Sequence, residues 1–118
     1  MKASSDLSVI TKVYDLILWL VPIVARLPRS YRFVLGERME RNLYGILELL
    51  IRAKYRREKA ALLDDANVGL EVLRFHTRLA KDLELLSIER YEHAAKRINE
   101  IGRELGGWLR QQGGVQKS

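Results

Sequence analysis

The sequence predicts an all-α protein, an antiparallel four-helix bundle. Apolar residues recur at three-four spacing in four successive blocks, and no block shows the strict alternation of a half-buried strand. The chain has 118 residues and only two prolines, 47% apolar and 31% charged. That is globular composition at the size of one ordinary domain, so residues 1–118 are expected to form a single unit.

The first helix, about residues 6–26, carries Leu7, Ile10, Tyr14, Ile17, Val21 and Val24 on one face. Pro22 lacks an amide proton and crowds the carbonyl of Leu18, which predicts a kink or an early stop. Leu27-Pro28 ends the helix, because a residue before proline is pushed out of the helical region. The longest apolar run, Leu16 to Ala25, falls well short of the roughly 20 residues of a spanning helix. Asp6 and Asp15 precede it, and Arg26-Leu-Pro-Arg29 stands where a signal peptide would have small residues. A cytoplasmic protein with no membrane partner is therefore expected.

The second helix, about residues 31–57, places Leu35, Met39, Leu43, Ile46, Leu50 and Ala53 on one face. A connector of about six residues leads to Asp64 or Asp65, either of which can cap a third helix over about 65–85. Its apolar residues, Leu70, Leu73, Phe75, Leu79, Ala80 and Leu83, span a broad arc that predicts burial on more than one side. In the fourth helix, about 88–110, Ser87 can cap and Leu86 can staple onto Tyr91. Ala94, Ile98, Ile101, Leu105 and Trp108 continue the face, with Trp108 expected in the core near Leu105 and the first helix. Gly113-Gly114 should stop the helix and leave a frayed tail over 111–118.

The charge is unevenly placed. Of 21 basic and 15 acidic residues, ten basic and four acidic ones lie between Arg26 and Lys59, so this segment carries the whole net charge of +6. Eight of those ten are arginine, whose planar fork suits phosphate. On a helix Arg38, Arg41, Arg52, Arg56 and Lys59 fall within about 60° of arc, opposite the apolar face. Arg57 adjoins the arc, and Arg74 and Arg78 would extend it if the third helix packs alongside. Such a stripe reads either as a solvated helix face or as a phosphate-binding surface for RNA or DNA. The arginine bias raises the second reading and leaves both open.

A second apolar stripe, Tyr44, Leu47, Ile51 and Tyr55, lies about 120° from the core face of the second helix. The first helix, including Trp19, is apolar nearly all round. These surfaces predict a homo-oligomer, the alternative being a thick bundle with a central second helix. Gly102 and Gly106 share one face of the fourth helix and suggest close approach of a neighbouring backbone, within or between subunits.

Catalytic chemistry finds little support. The chain has no cysteine and two histidines. Neither histidine has the Glu-x-x-His spacing of a di-iron site, and a zinc site would need more ligands. No glycine-rich phosphate loop or Ser-His-Asp set stands out. Counting leaves open only a small helical mutase built on buried Arg, Lys and Glu. The reading is a non-enzymatic protein with no catalytic residue, metal or cofactor.

Several segments resemble a known family. Gly69-Leu-Glu-Val-Leu-Arg-Phe75, Leu79-Ala-Lys-Asp-Leu83 and above all Glu100-Ile-Gly-Arg-Glu-Leu-Gly-Gly-Trp-Leu109 are similar to the accessory variability determinant (Avd) proteins of diversity-generating retroelements. Leu20-Val-Pro-Ile23 and Leu27-Pro-Arg29 resemble the end of the first helix and its turn in the same group. The resemblance implies a homopentamer with a central channel and no catalytic activity. It further implies binding to the retroelement's reverse transcriptase and to template RNA or cDNA during mutagenic copying. The alternative is the related 23S rRNA intervening-sequence protein, a four-helix bundle with an RNA-associated or unknown role. That branch carries Asn-Ile-Ala-Glu-Gly near the end of helix two, where this chain reads Glu48-Leu-Leu-Ile-Arg-Ala53.

Overall fold

A computed structural model describes the backbone of residues 2–114 and the side chains of residues 6–112. Among these residues every regular element is helical. The four long helices are α1 (Lys2–Ala25), α2 (Glu37–Tyr55), α3 (Ala60–Asp82) and α4 (Ile88–Leu109). One α-helical turn (Arg29–Tyr31) and a π-helical turn (Arg32–Gly36) lead into α2, and a second π-helical turn (Arg110–Gly114) follows α4. The shape is 45 × 24 × 22 Å, a cross-section of two helices by two at about 10–12 Å each. Each helix packs against its neighbours in chain order, and α4 closes the square on α1. Every neighbouring pair is antiparallel. Lys12 meets Glu104 while Trp19 meets His93, and Arg74 bonds Asn99 while Gly102 sits against Leu70.

The α2 face is buried as its spacing predicts: Leu35, Met39, Leu43, Ile46, Leu50 and Ala53 are all in the core. Glu37 and Glu40 lie in its first turn and Arg52 and Lys54 in its last, each sign matching the helix dipole. In α4, Ala94, Ile98, Ile101, Leu105 and Trp108 are buried, and Ser87 accepts a hydrogen bond from the Arg90 amide at 3.1 Å. Leu86 before this cap is buried and Tyr91 half-buried. The α-helical pattern gives way at Arg110 rather than at the glycine pair, and residues 111–114 continue as a π-helical turn. Residues 115–118 of the expected frayed tail lie outside the described residues.

Three expectations are corrected. The buried face of α1 is Val9, Val13, Leu16, Leu20 and Val24, while Leu7 and Tyr14 are more than half exposed. The helix is turned by about one residue, or 100°, from the expected face. Because α1 is apolar nearly all round, hydropathy offers no contrast to fix its rotation. Pro22 neither shortens α1 nor is buried; the helix runs to Ala25. The second correction is the start of α3 at Ala60, so Asp64 and Asp65 lie exposed inside the helix. Its core face is Leu63, Ala66, Leu70, Leu73, Thr77 and Ala80, whereas Phe75, Leu79 and Leu83 are 41–60% exposed.

The third correction concerns the glycines within one subunit; their use between subunits is a separate expectation. A Cβ on Gly102 would meet only side-chain atoms, at 3.6 Å and beyond, and one on Gly106 only Arg110. The close approaches are elsewhere. A Cβ on Gly36 would stand 3.2 Å from the Val24 carbonyl oxygen, where α1 and the start of α2 cross. One on Gly69 would stand 3.0 Å from Asn42 Oδ1 and 3.1 Å from Ile46, between α2 and α3.

The α3–α4 turn is a Schellman motif. The Glu84 amide donates to the Lys81 carbonyl and the Leu85 amide to that of Ala80, with Glu84 at φ 64° in the left-handed region.

Candidate nucleic-acid interface

Helix α2 carries Arg38, Arg41 and Arg52 of the expected basic arc and turns Arg38 and Arg41 toward α3. It ends at Tyr55 rather than near residue 57, so Arg56, with extended backbone at φ -103° and ψ 151°, and Lys59 lie in the connector and off the helical arc. Asn42 fixes the flank that faces α3, its amide donating to the Gly69 carbonyl at 2.8 Å. Arg38, Arg52, Arg56 and Arg57 are exposed and have no carboxylate partner among the described residues. Arg41 is exposed and pairs with Glu37 at 3.1 Å, one turn away on its own helix. An exposed pair of this kind contributes roughly 0.3–0.5 kcal/mol and is readily exchanged for another anion.

Lys59 does something else. Its ammonium donates to the carbonyls of Ala53 at 2.7 Å, Lys54 at 3.4 Å and Arg56 at 2.6 Å. It thereby satisfies the orphan carbonyls at the end of α2 and is a helix cap rather than a free cation. Arg74 and Arg78 are not brought to the arc. Arg74 lies on the α4 side of α3, bonded to Glu71 and Asn99, and Arg78, one turn on, pairs with Asp82 at 3.9 Å.

The second stripe lies on the opposite flank of α2, toward α1. Tyr44, Ile51 and Tyr55 are 41%, 40% and 77% exposed, and Leu47 is half-buried against the core. Tyr44 donates to Glu40 at 2.6 Å, and that bond raises its phenol above the usual range, with burial and the carboxylate charge adding to it. On α1, Leu7, Tyr14 and Leu18 are 53–59% exposed, on the side of the helix away from Lys12 and Trp19, which meet α4. The two helices thus share one apolar face. Trp19 is not on it; its ring packs 4.4 Å from His93 of α4.

Sequence reasoning missed two features. The first is an outward stripe on α3, Val68, Val72, Phe75 and Leu79, legible as a second three-four series. The second is a groove between α2 and α3, lined by Phe33, Val34, Arg38, Arg41, Val72 and His76 among others. Burial and then the Arg38 guanidinium lower the His76 pKa below the ordinary imidazole value. Thr77 is the one buried polar or charged residue among those described, so no buried Arg, Lys and Glu cluster exists there. No group of three or more metal-ligating side chains occurs among them either.

Fold and surface together define a small helical bundle whose exposed chemistry is cationic on one flank of α2 and apolar on the other. A family model described as bAvd-like matches residues 7–112, nearly the whole chain. The chain belongs to the bAvd-like family, and the match points to an accessory protein of the Avd type. No curated protein matches it.

Proposed function

We propose that this protein is a non-enzymatic accessory subunit of a diversity-generating retroelement, binding its reverse transcriptase and holding template RNA or cDNA. The observation that carries the nucleic-acid part is the set of exposed arginines with no carboxylate partner among the described residues, Arg38 and Arg52 on α2 and Arg56 and Arg57 just past its end, beside the loosely paired Arg41. Phosphate contacts of this kind position a nucleic acid without reading its sequence. Family membership supports the polymerase as partner.

Self-association, as a pentamer by the resemblance, is supported by the shared apolar face of α1 and α2. In a ring of identical subunits the arginine arcs repeat, and weak contacts sum by avidity. The α1 segment Asp6–Ala25 has a mean hydropathy of 1.8 and the length to cross a membrane, a point the interrupted apolar run concealed. Its inner face is instead used by the bundle core, which supports a cytoplasmic protein. Co-expression with the reverse transcriptase of the same retroelement tests the assignment. The two chains should co-purify through size exclusion with RNA removed by nuclease; failure to associate contradicts the accessory role.

A further inference from the structure

The groove between α2 and α3 brings together an aromatic ring, cations and a polar reader. Phe33 and Val34, each 61% exposed, stand over it, and Val72 and His76 form the α3 wall. Arg38, Arg41, Glu37 and Asn42 line the α2 side. Its volume, about 580 Å³, lies within the roughly 300–1,000 Å³ range of small-ligand sites.

The exposure of Phe33 has a structural cause. The π-helical turn Arg32–Gly36 buries Leu35 and Gly36 and leaves Phe33 and Val34 outside. Such turns are rare and are frequent at functional sites. The Arg32 guanidinium lies over the Phe33 ring, 5.0 Å from its centroid, and most of the side chain remains open. His76 is held toward its neutral form, and its Nδ1 is buried without a partner among the described residues, which leaves Nε2 as the nitrogen a ligand can reach.

We propose that this groove binds single-stranded nucleic acid, with a base stacked on Phe33 beside His76 and the flanking phosphates on Arg38 and Arg41. The proposal rests on α2 being the nucleic-acid surface and adds a strand preference to it. A base offers its face to an aromatic ring only when it is out of the duplex stack, whereas phosphates are available in both forms. An apolar peptide would use Phe33, Val34 and Val72 but leave Arg38 without a counter-charge. A nucleotide satisfies both.

Affinities for a 15-nucleotide single-stranded RNA and for the same sequence as a duplex, at one salt concentration, test this with Phe33→Ala and Phe33→Trp proteins. Phe33→Ala should weaken single-strand binding by about five- to a hundredfold and leave duplex binding unchanged. Phe33→Trp should restore it, and quenching of a 2-aminopurine base in the single strand should follow the same order. An equal loss on both probes overturns the stacking assignment. No loss on either overturns it in favour of a protein ligand in the groove. A wild-type protein that binds neither probe removes the underlying reading of α2 instead.

Discussion

Two glycines of identical type have opposite roles here. Gly36 lies where α1 and the entry to α2 cross, and an added methyl would stand 3.2 Å from the Val24 carbonyl oxygen, a backbone atom with little room to yield. Gly102 lies in α4 with ordinary contacts at 3.6 Å and 3.7 Å to the ends of two side chains. Gly36→Ala should therefore lower the melting temperature. Gly102→Ala should raise it by a few degrees, because alanine in a helix interior is favoured by about 0.5–1 kcal/mol. Thermal melts of the two proteins, followed by circular dichroism, check both signs.

His76 makes a separate residue-scale prediction. Its pKa is lowered in the folded state, by burial and by Arg38, so the unfolded chain binds the proton more tightly. Folding stability then falls as pH drops below the ordinary imidazole value of 6.5, until the folded-state pKa is passed. Glu37 also lines the groove, where it pairs with Arg41. Melts between pH 7.5 and 5 should show a steeper loss in wild type than in His76→Gln; equal slopes would remove His76 as the cause.

At the scale of the element, legibility followed amphipathic contrast. Every residue of the expected α2 face is buried because charged residues surround it and leave one rotation that works. The α4 face, its Ser87 cap and Trp108 were legible for the same reason. α1 offers apolar residues on nearly all sides, so its rotation is set by partners and not by pattern. The early start of α3 was hidden because Lys59, a poor N-cap by type, caps the end of α2 from the connector. Spacing places Arg38, Arg41 and Arg52 on the exposed side of α2, but not Arg56 and Lys59, because the helix ends at Tyr55. The groove was not legible, since it needs the π-helical turn at Arg32–Gly36 and the packing of α3 against α2. The shared α1–α2 face gives the element-scale prediction. Ile51→Glu with Tyr55→Glu should lower the assembled mass and leave helical circular dichroism intact, since both side chains are at least 40% exposed. Leu47, half-buried against the core, is the wrong residue for that experiment.

Seen as a whole molecule, the protein separates its surfaces around α2. Exposed apolar residues lie on one flank of α2, Arg38 and Arg41 line the groove on the other, and Val72 of the outer α3 stripe forms part of its far wall. The segment that holds the entire net charge of +6 runs from the end of α1 through α2 to the connector before α3, so the excess cations cluster around α2 and its two ends. Segregation of this kind lets a multimer present its cations together while its apolar face is covered. It also makes long-range attraction to a polyanion dependent on ionic strength.

The most direct test of this account is the salt dependence of nucleic-acid binding in an Arg52→Gln, Arg56→Gln protein. Both guanidiniums are exposed and free of carboxylate partners among the described residues, so fold and oligomer mass should be unchanged. Binding should weaken about equally for unrelated sequences. The slope of log affinity against log salt should become shallower by roughly 0.7–0.9 for each arginine–phosphate pairing that the substitutions remove. Unchanged affinity and slope for RNA and DNA, together with abolished binding to the reverse transcriptase, would contradict the account and make the arginine arc a protein-docking surface.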